Sequence, residues 1–274
     1  MGKTVLYYFT GTGNSMHIVK NLATKLEALS EDTITIVPMV RALEQEVIYS
    51  DADTIGLIFP IYMTAIPIPV LQFVNKLDPK KSDNKYAIVS RIGTSHTAFR
   101  AINKILKQKH GKLNGTFNIQ MPSNSCKFKY KVPTKEEIEL ADSNMQLELE
   151  KIVSIVGSQV ESNEKDITAT SKIPKFLIIP IAGLAHASND DLYADDKCIG
   201  CGTCEIVCPS GKIRMIDSVP VWQKSVKCFR CAACINYCPE QAAQIRKFTE
   251  TNGRYSHPFA TVEDIANQKL ALVE

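Results

Sequence analysis

The chain has 274 residues, 45% of them hydrophobic and 22% charged, a composition typical of a globular protein with one large core and a small second module. The closest candidate for a membrane segment, residues 173–187, is shorter than the roughly 20 residues required and contains two prolines, so an integral membrane segment is excluded. The amino terminus enters a strand pattern without a charged leader or cleavage site. The sequence therefore predicts a two-domain, cytoplasmic protein.

Strand patterns alternate with helix patterns over about the first 120 residues. Short β-branched or apolar runs predict five strands, at residues 3–9, 33–37, 54–59, 86–91 and 116–120. Apolar side chains at helical spacing predict helices at residues 15–29, 68–77 and 97–109. This alternation predicts an α/β fold with a five-stranded, mostly parallel sheet, in which ligands bind beyond the carboxyl ends of the strands.

A loop rich in hydroxyls and glycine connects the first strand to the first helix. It consists of Thr10, Gly11, Thr12, Gly13, Asn14 and Ser15. Backbone N–H groups at a helix start, these hydroxyls and the helix dipole together suit a phosphate monoester. The loop has no Gly-Lys-Ser/Thr ending and no third glycine, which argues against an ATP-binding P-loop and against a dinucleotide fingerprint. The alternative is an ordinary turn in which Asn14 or Ser15 caps the helix.

A further helix and a change of composition indicate where the first domain ends. Residues 134–160 have a helical pattern that starts with a capping signal formed by Thr134 and Glu137. The predicted domain organisation is residues 1–165 as the first domain, 166–189 as a linker, 190–248 as the second domain and 249–274 as an extension without a recognised motif.

Eight of the nine cysteines lie in two runs, each with the spacing C-x2-C-x2-C-x3-C-P. The runs are Cys198, Cys201, Cys204 and Cys208, then Cys228, Cys231, Cys234 and Cys238. Such crowding in a reducing compartment indicates metal rather than disulfides. The triple spacing lets three thiolates converge on one cube-shaped cluster. A pair of zinc sites is the alternative, although zinc knuckles lack the triple run.

Both runs resemble two-cluster bacterial ferredoxins, over about residues 190–248. The resemblance implies a small α+β domain with two [4Fe-4S] clusters, in which the fourth cysteine of each run ligates the other run's cluster. It assigns Cys198, Cys201, Cys204 and Cys238 to one cluster and Cys228, Cys231, Cys234 and Cys208 to the other. A short helical segment is expected to begin at each fourth cysteine.

Residues 10–15 resemble the flavodoxin phosphate loop, Ser/Thr-x-Thr-Gly-x-Ser/Thr, at each fixed position. The resemblance implies bound FMN, the strand order 2-1-3-4-5, and a flavin ring held by the loops after the third and fourth strands. The ring-binding residues implied are Pro60, Ile61, Tyr62 and Met63 in one loop and Ser90, Arg91, Ile92, Gly93 and Thr94 in the other. Tyr62 is the candidate to stack on the ring. Cys126 follows the fifth strand and is expected near the flavin rim or as a packing residue.

The whole chain resembles the flavodoxin–ferredoxin fusion family, found mostly in anaerobes. The formal charge of +3 falls to about −3 once thiolates, clusters and a flavin phosphate are counted, so it gives no argument for nucleic-acid binding. The resemblance implies an electron carrier that connects FMN, the clusters and redox partner proteins in anaerobic metabolism. An FMN-dependent reductase of a small organic substrate and a redox sensor are the alternatives. No catalytic residue is predicted, and the sequence is compatible with a homodimer.

Overall fold

The larger part of the protein is built around a parallel β-sheet. The computed structural model describes residues 2–62, 65–79, 82–93, 97–126, 130–164, 192–246 and 248–269. The strands of this part are β1 (Lys3–Tyr8), β2 (Thr33–Pro38), β3 (Ile48–Tyr49), β4 (Thr54–Pro60), β5 (Leu77–Asp78), β6 (Asn84–Arg91), β7 (Gly115–Gln120) and β8 (Ser162–Asn163). The main sheet has the order β2-β1-β4-β6-β7-β8, and β3 pairs separately with β5.

Helices cover both faces of the main sheet. Helices α1 (Asn14–Glu27) and α5 (Lys135–Gly157) lie on one face, and α2 (Met39–Ala42), α3 (Ile68–Lys76) and α4 (Ala98–Lys107) lie on the other. Successive side chains of a strand point to opposite faces, so Leu6 and Tyr8 belong to one core and Tyr7 and Phe9 to the other. Burial on both faces explains why these strands read as apolar runs without polar alternation.

The predicted flavodoxin-like topology is confirmed, because the five predicted strands lie parallel in the order 2-1-3-4-5. The predicted capping box of α5 is also present. Glu137 donates its N–H to Thr134 Oγ1 at 3.2 Å, and its carboxylate accepts the Thr134 N–H at 2.8 Å. The sequence analysis missed β8 and α2, which have two and four residues and are too short to carry a periodic signal.

The cysteine-containing part consists of two antiparallel strand pairs and two short helices. Strand β9 (Leu192–Ala194) pairs with β12 (Ala243–Ile245), and β10 (Ile213–Ile216) pairs with β11 (Val219–Trp222). The helices are α6 (Thr203–Ile206) and α7 (Ala233–Asn236). They end before the fourth cysteine of each run, so the expectation that a helix begins there is wrong. The proline that follows each fourth cysteine disfavours helical backbone at that cysteine.

No helix in the described ranges has both the length and the apolarity to cross a membrane. The longest of them, α5, has 23 residues and carries charged side chains along its length. The apolar stretch 173–187 and the predicted linker 166–189 lie outside the described residues.

Residues 255–268, here called the C-terminal strap, fold back onto the first domain. The strap contains α8 (Val262–Ala266), which begins with a capping box formed by Thr261 and Asp264. Ile265 is buried in the same hydrophobic core as residues of α1 and α5. Asp264 forms an ion pair of 2.8 Å with Lys20 of α1. The sequence analysis assigned no motif to this segment, whereas in the structure it completes the core.

We expect Ile265→Ala to lower the free energy of unfolding by about 2–5 kcal/mol, because it deletes a side chain that is 1% exposed and leaves a cavity. Val262→Ala in the same helix is the matched control. Val262 is 36% exposed, and its truncation should cost about 0.5 kcal/mol or less. Anaerobic urea unfolding followed by circular dichroism measures both variants. Equal losses for the two would mean that the strap is not docked as described.

Candidate redox-cofactor site

A cavity of about 380 Å³ lies between the carboxyl ends of the sheet strands and the second cysteine run. The first domain contributes Asn14, residues 60–62, residues 90–93 and residues 122–126 to its wall. The second domain contributes Cys208, Phe229 and Cys231, among others. The predicted flavin loops and the predicted ligands of one cluster, Cys208, Cys228, Cys231 and Cys234, therefore line a single shared cavity.

The start of α1 offers unpaired backbone donors in the predicted phosphate loop. The first intrahelical bond runs from the His17 N–H to the Gly13 carbonyl at 2.8 Å, and no side chain caps the helix. The N–H groups of Asn14, Ser15 and Met16 consequently have no acceptor within the helix. Gly13 has φ of 102°, a left-handed conformation that favours glycine. These donors and the helix dipole fit a phosphate group.

Each hydroxyl of this loop has a hydrogen-bond partner, either within the loop or in a neighbouring segment. Thr10 Oγ1 accepts the Gly13 N–H at 3.0 Å, Thr12 Oγ1 accepts from the Asn124 side chain at 2.7 Å, and Ser15 Oγ lies 2.7 Å from Ser90 Oγ. A hydroxyl that accepts one hydrogen bond keeps its own proton as a donor. Thr10 and Thr12 therefore retain the donor that the sequence analysis assigned to them.

The C-terminal strap covers the phosphate loop. His257 donates its N–H to the Thr12 carbonyl at 2.7 Å, and Tyr255 Oη donates to Asn14 Oδ1 at 3.1 Å. The Gln268 amide accepts the Thr10 N–H at 2.9 Å and donates to the Thr10 carbonyl at 3.2 Å. These contacts bury the whole loop, and among its residues only Asn14 reaches the cavity wall.

This covering depends on Gly13. A Cβ at this position would lie 2.4 Å from Ala260 Cβ and 2.8 Å from His257 Cβ, closer than carbon atoms approach. The sequence analysis missed the strap as part of the site because the strap begins about 240 residues after the phosphate loop. The one local signal was the Thr261-x-x-Asp264 capping pattern, which indicates a helix but not its docking partner.

The two loops predicted to hold the flavin ring both line the cavity. Pro60, Ile61 and Tyr62 come from the first, and Ser90, Arg91, Ile92 and Gly93 come from the second. Met63 and Thr94 lie outside the described residues. Ile92 is 62% exposed, and a Cβ at Gly93 would meet no atom within 4 Å, so this loop borders open space.

The cavity wall has a cationic character. Among its described lining residues none is acidic, whereas Arg91, Lys212 and Arg230 are basic. Arg91 Nη1 donates to the Gly93 carbonyl, while its Nε has no partner within the described part of the chain. Burial lowers the pKa of the Arg91 guanidinium. A wall of this kind stabilises an anionic ligand.

Cys126 lies in the cavity wall but is itself buried. Its side chain is 2% exposed and packs with Ile235 and Ile245, and its carbonyl accepts from the Asn252 side chain at 2.8 Å. The structure thus places it as a packing residue at the interface of the two domains, and the expectation that it lies near the flavin rim stays a prediction.

The eight clustered cysteines form two groups in space. Cys198, Cys201, Cys204 and Cys238 surround a small cavity of about 20 Å³, while Cys208, Cys228, Cys231 and Cys234 line the large one. Each fourth cysteine has therefore crossed to the other run. The first group includes the exposed residues Cys198 and Cys201, whereas the second has one buried and three half-buried cysteines and no exposed one.

The thiol pKa values reflect this grouping. Burial, followed by the charges of Cys238, Cys198 and Cys201, raises the pKa of Cys204 to about 11, although the Glu205 backbone N–H opposes the shift. Burial, followed by the charges of Cys208 and Cys231, raises the pKa of Cys234 well above its usual range. Four thiolates held this close together repel one another and require a positively charged partner. Over the described residues, no three Cys, His, Asp or Glu side chains are arranged to hold a single metal ion.

The fold and the site define an electron-transfer protein of the flavodoxin type with added cysteine ligands. Two family models match the chain, a Flavodoxin domain at residues 5–130 and a 4Fe-4S dicluster domain at residues 197–243. The protein is a fusion of a flavodoxin domain and a ferredoxin domain, which implies FMN and iron–sulfur clusters. The N–H groups without an acceptor in α1, the cationic cavity and the grouped thiolates have the chemistry that these groups require, while the strap covers the phosphate loop and only Asn14 of that loop reaches the cavity.

Curated relatives match parts of the chain. A component of the ion-translocating oxidoreductase complex of Methanosarcina acetivorans is 41% identical over 64 residues, which are 23% of this chain and 24% of the relative. An uncharacterized ferredoxin of Methanocaldococcus jannaschii is 31% identical over 72 residues, 25% of this chain and 40% of the relative. The chain thus spans less than half the length of these relatives. Among solved structures, the Megasphaera elsdenii flavodoxin has a TM-score of 0.34 and 19% identity, covering 52% of this chain and 98% of its own.

Paired alanine substitutions test how the cysteines are shared. If the fourth cysteine of each run crosses over, Cys198→Ala with Cys238→Ala removes ligands of one cluster, and about half of the iron remains. Cys198→Ala with Cys208→Ala removes a ligand from each cluster, and little iron remains. Iron and sulfide analysis of anaerobically purified protein measures both pairs. The reverse result would assign each run to its own cluster.

His257 of the strap gives the protein a pH dependence. Its ring stacks on His17 with centroids 4.2 Å apart, and His17 Nε2 lies 2.6 Å from Asp142 Oδ1. Burial and then the charge of His17 lower the pKa of His257 to about 4, with Asp142 opposing. Unfolded His257 therefore binds a proton at a higher pH than folded His257, and stability falls as pH drops from 6.5 towards 4.

We expect the wild-type protein to lose about 2 kcal/mol more stability than His257→Phe between pH 7.5 and pH 5. Phenylalanine keeps an aromatic ring on His17 but does not titrate. Anaerobic urea unfolding at the two pH values measures the difference. Equal losses in the two proteins would show that the buried imidazole does not resist protonation.

Proposed function

We propose that this protein is an electron carrier in which FMN and two [4Fe-4S] clusters exchange electrons within one chain. The observation that supports this most directly is the single cavity shared by the predicted flavin loops and one group of four cysteines. Electron transfer is fastest when donor and acceptor are close, and a shared cavity gives the two cofactors a common wall. The first group of cysteines, which includes the exposed residues Cys198 and Cys201, exchanges electrons with a redox partner protein.

Each cofactor has a proposed set of ligands. The FMN phosphate is held by Thr10, Gly11, Thr12, Gly13, Asn14 and Ser15, and the ring by Pro60, Ile61, Tyr62, Met63, Ser90, Arg91, Ile92, Gly93 and Thr94. One cluster is ligated by Cys198, Cys201, Cys204 and Cys238, and the other by Cys208, Cys228, Cys231 and Cys234. The strap contributes Gln268 and His257, which fix the backbone of the phosphate loop through Thr10 and Thr12.

The protein's own contribution is position, exclusion of water and charge. When bound, FMN accepts or gives two electrons and each cluster one, which connects two-electron with one-electron pathways. The strap shields the phosphate loop from solvent, and the Arg91 guanidinium lines the cavity with an Nε that has no partner among the described residues. This cation offsets negative charge that enters the cavity on reduction. The protein works in an oxygen-poor cytoplasm. Its partners are redox proteins and not nucleic acids.

The second candidate is a reductase in which an organic substrate enters beside the flavin. The open space at Gly93 and the exposed Ile92 favour it, because both residues line the cavity and neither is covered by described residues. A panel of quinones, enones and nitro compounds separates the two functions. Rapid, selective reoxidation of the reduced protein by one class would favour the reductase, whereas uniformly slow reoxidation together with fast transfer to an added electron-transfer protein would favour the carrier.

Cofactor analysis tests the proposed function. We expect anaerobically purified protein to contain about one FMN and about eight irons with eight sulfides per chain. Reduction should bleach both the flavin and the cluster absorbance. Cys198→Ala with Cys228→Ala is the control, since it removes a ligand from each cluster but none from the phosphate loop, and it should lose iron while keeping the flavin. Zinc in place of iron, or no flavin, would overturn the proposal.

A further inference from the structure

The hydroxyl of Tyr62 is buried and has no hydrogen-bond partner among the described residues. A buried hydroxyl without a partner is costly, so each such group in a native protein calls for an explanation, such as a bound water, an ion or a functional role. Tyr62 lies at the boundary of the two domains, in the wall of the large cavity. Its position there, rather than its burial alone, indicates which species that is.

The hydroxyl lies beside the second cysteine run. A Cβ placed on Gly11 would be 2.5 Å from Tyr62 Oη, 2.3 Å from the Cys231 carbonyl oxygen and 3.0 Å from Cys231 Cβ. The tyrosine hydroxyl and the side chain of Cys231 therefore both lie within 3.0 Å of one point above the Gly11 backbone. Gly11 makes this approach possible because any larger residue would fill that point.

The ring of Tyr62 is held in this pose from two sides. Its backbone forms a pair of hydrogen bonds with Ala65, of 3.1 and 3.0 Å. Its ring meets the edge of Phe9 at a centroid distance of 6.1 Å, and Phe9 in turn meets Phe229 of the second cysteine run at 6.3 Å. The hydroxyl is thus presented to the second domain by packed aromatic rings.

The hydroxyl carries one proton that it can donate. A hydrogen bond from a phenol to a charged sulfur is stronger than one to a neutral acceptor such as the nearby Cys231 carbonyl.

We propose that Tyr62 donates a hydrogen bond to a sulfur of the cluster ligated by Cys208, Cys228, Cys231 and Cys234, and thereby raises the reduction potential of that cluster. A hydrogen bond to sulfur stabilises the reduced, more negatively charged state more than the oxidised one. The donor belongs to the flavodoxin domain, so docking of the two domains sets the potential of the cluster at their interface. The other cluster has no contribution from this side chain. The inference rests on the proposed presence of two clusters.

The test compares Tyr62→Phe with Tyr86→Phe in the full-length holo-protein. Each substitution removes one buried hydroxyl without a described partner and keeps the ring, but Tyr86 packs against Phe117 and Gly56 inside the first domain. Redox titration followed by electron paramagnetic resonance measures the potential of each cluster. Resonance Raman spectra in H₂O and D₂O measure whether an exchangeable proton contacts the cluster sulfurs. Iron content is measured on every sample.

We expect Tyr62→Phe to move one cluster potential to a more negative value, to leave the other unchanged and to abolish a deuterium shift of the iron–sulfur bands. Tyr86→Phe should leave both potentials and the deuterium shift as in the wild type. Unchanged potentials in a Tyr62→Phe protein with about eight irons, or equal shifts of both clusters, would overturn the inference alone. Fewer than about eight irons in the wild type would contradict the proposed function instead.

Discussion

The structure depends on close backbone approach at two glycines of the phosphate loop. Gly11 lies against the Cys231 carbonyl and the Tyr62 hydroxyl, and Gly13 lies against Ala260 and His257. A side chain at either position would separate the flavodoxin domain from the segments that cover it. Because these two contacts hold the second cysteine run and the strap on the same loop, the site for the flavin and the site for one group of thiolates share a wall.

The arrangement of charge follows from this contact. None of the four cysteines next to the flavodoxin domain is exposed, while the other group has its first two cysteines exposed. An enclosed group of thiolates raises the cost of negative charge, and the basic residues of the cavity wall, Arg91, Lys212 and Arg230, reduce that cost. In the proposed electron carrier, the inner group exchanges electrons with the flavin and the outer group exchanges them with other proteins.

The strap changes the structural role that the residues of the phosphate loop have. In the sequence this loop is a local motif, and its hydroxyls are candidates to bind phosphate directly. In the structure the hydroxyls accept hydrogen bonds from Gly13 and Asn124, and the Thr10 amide is bonded to Gln268. The loop is therefore held in shape from outside by residues of the strap. The loop proposed to bind the FMN phosphate and the carboxyl-terminal segment are consequently parts of one packed unit.

The sequence alone determined the features that depend on local spacing. Alternating apolar runs predicted the five strands, and the flavodoxin resemblance of residues 10–15 implied their order. Thr134 and Glu137 predicted the start of α5, and the cysteine spacing and residues 10–15 predicted the cofactor classes. Only the tertiary structure decided which surfaces meet. It placed Gln268 on Thr10, Tyr62 beside Cys231 and His257 on His17, because contacts between residues far apart in the chain depend on how whole domains pack, and no local pattern encodes that packing.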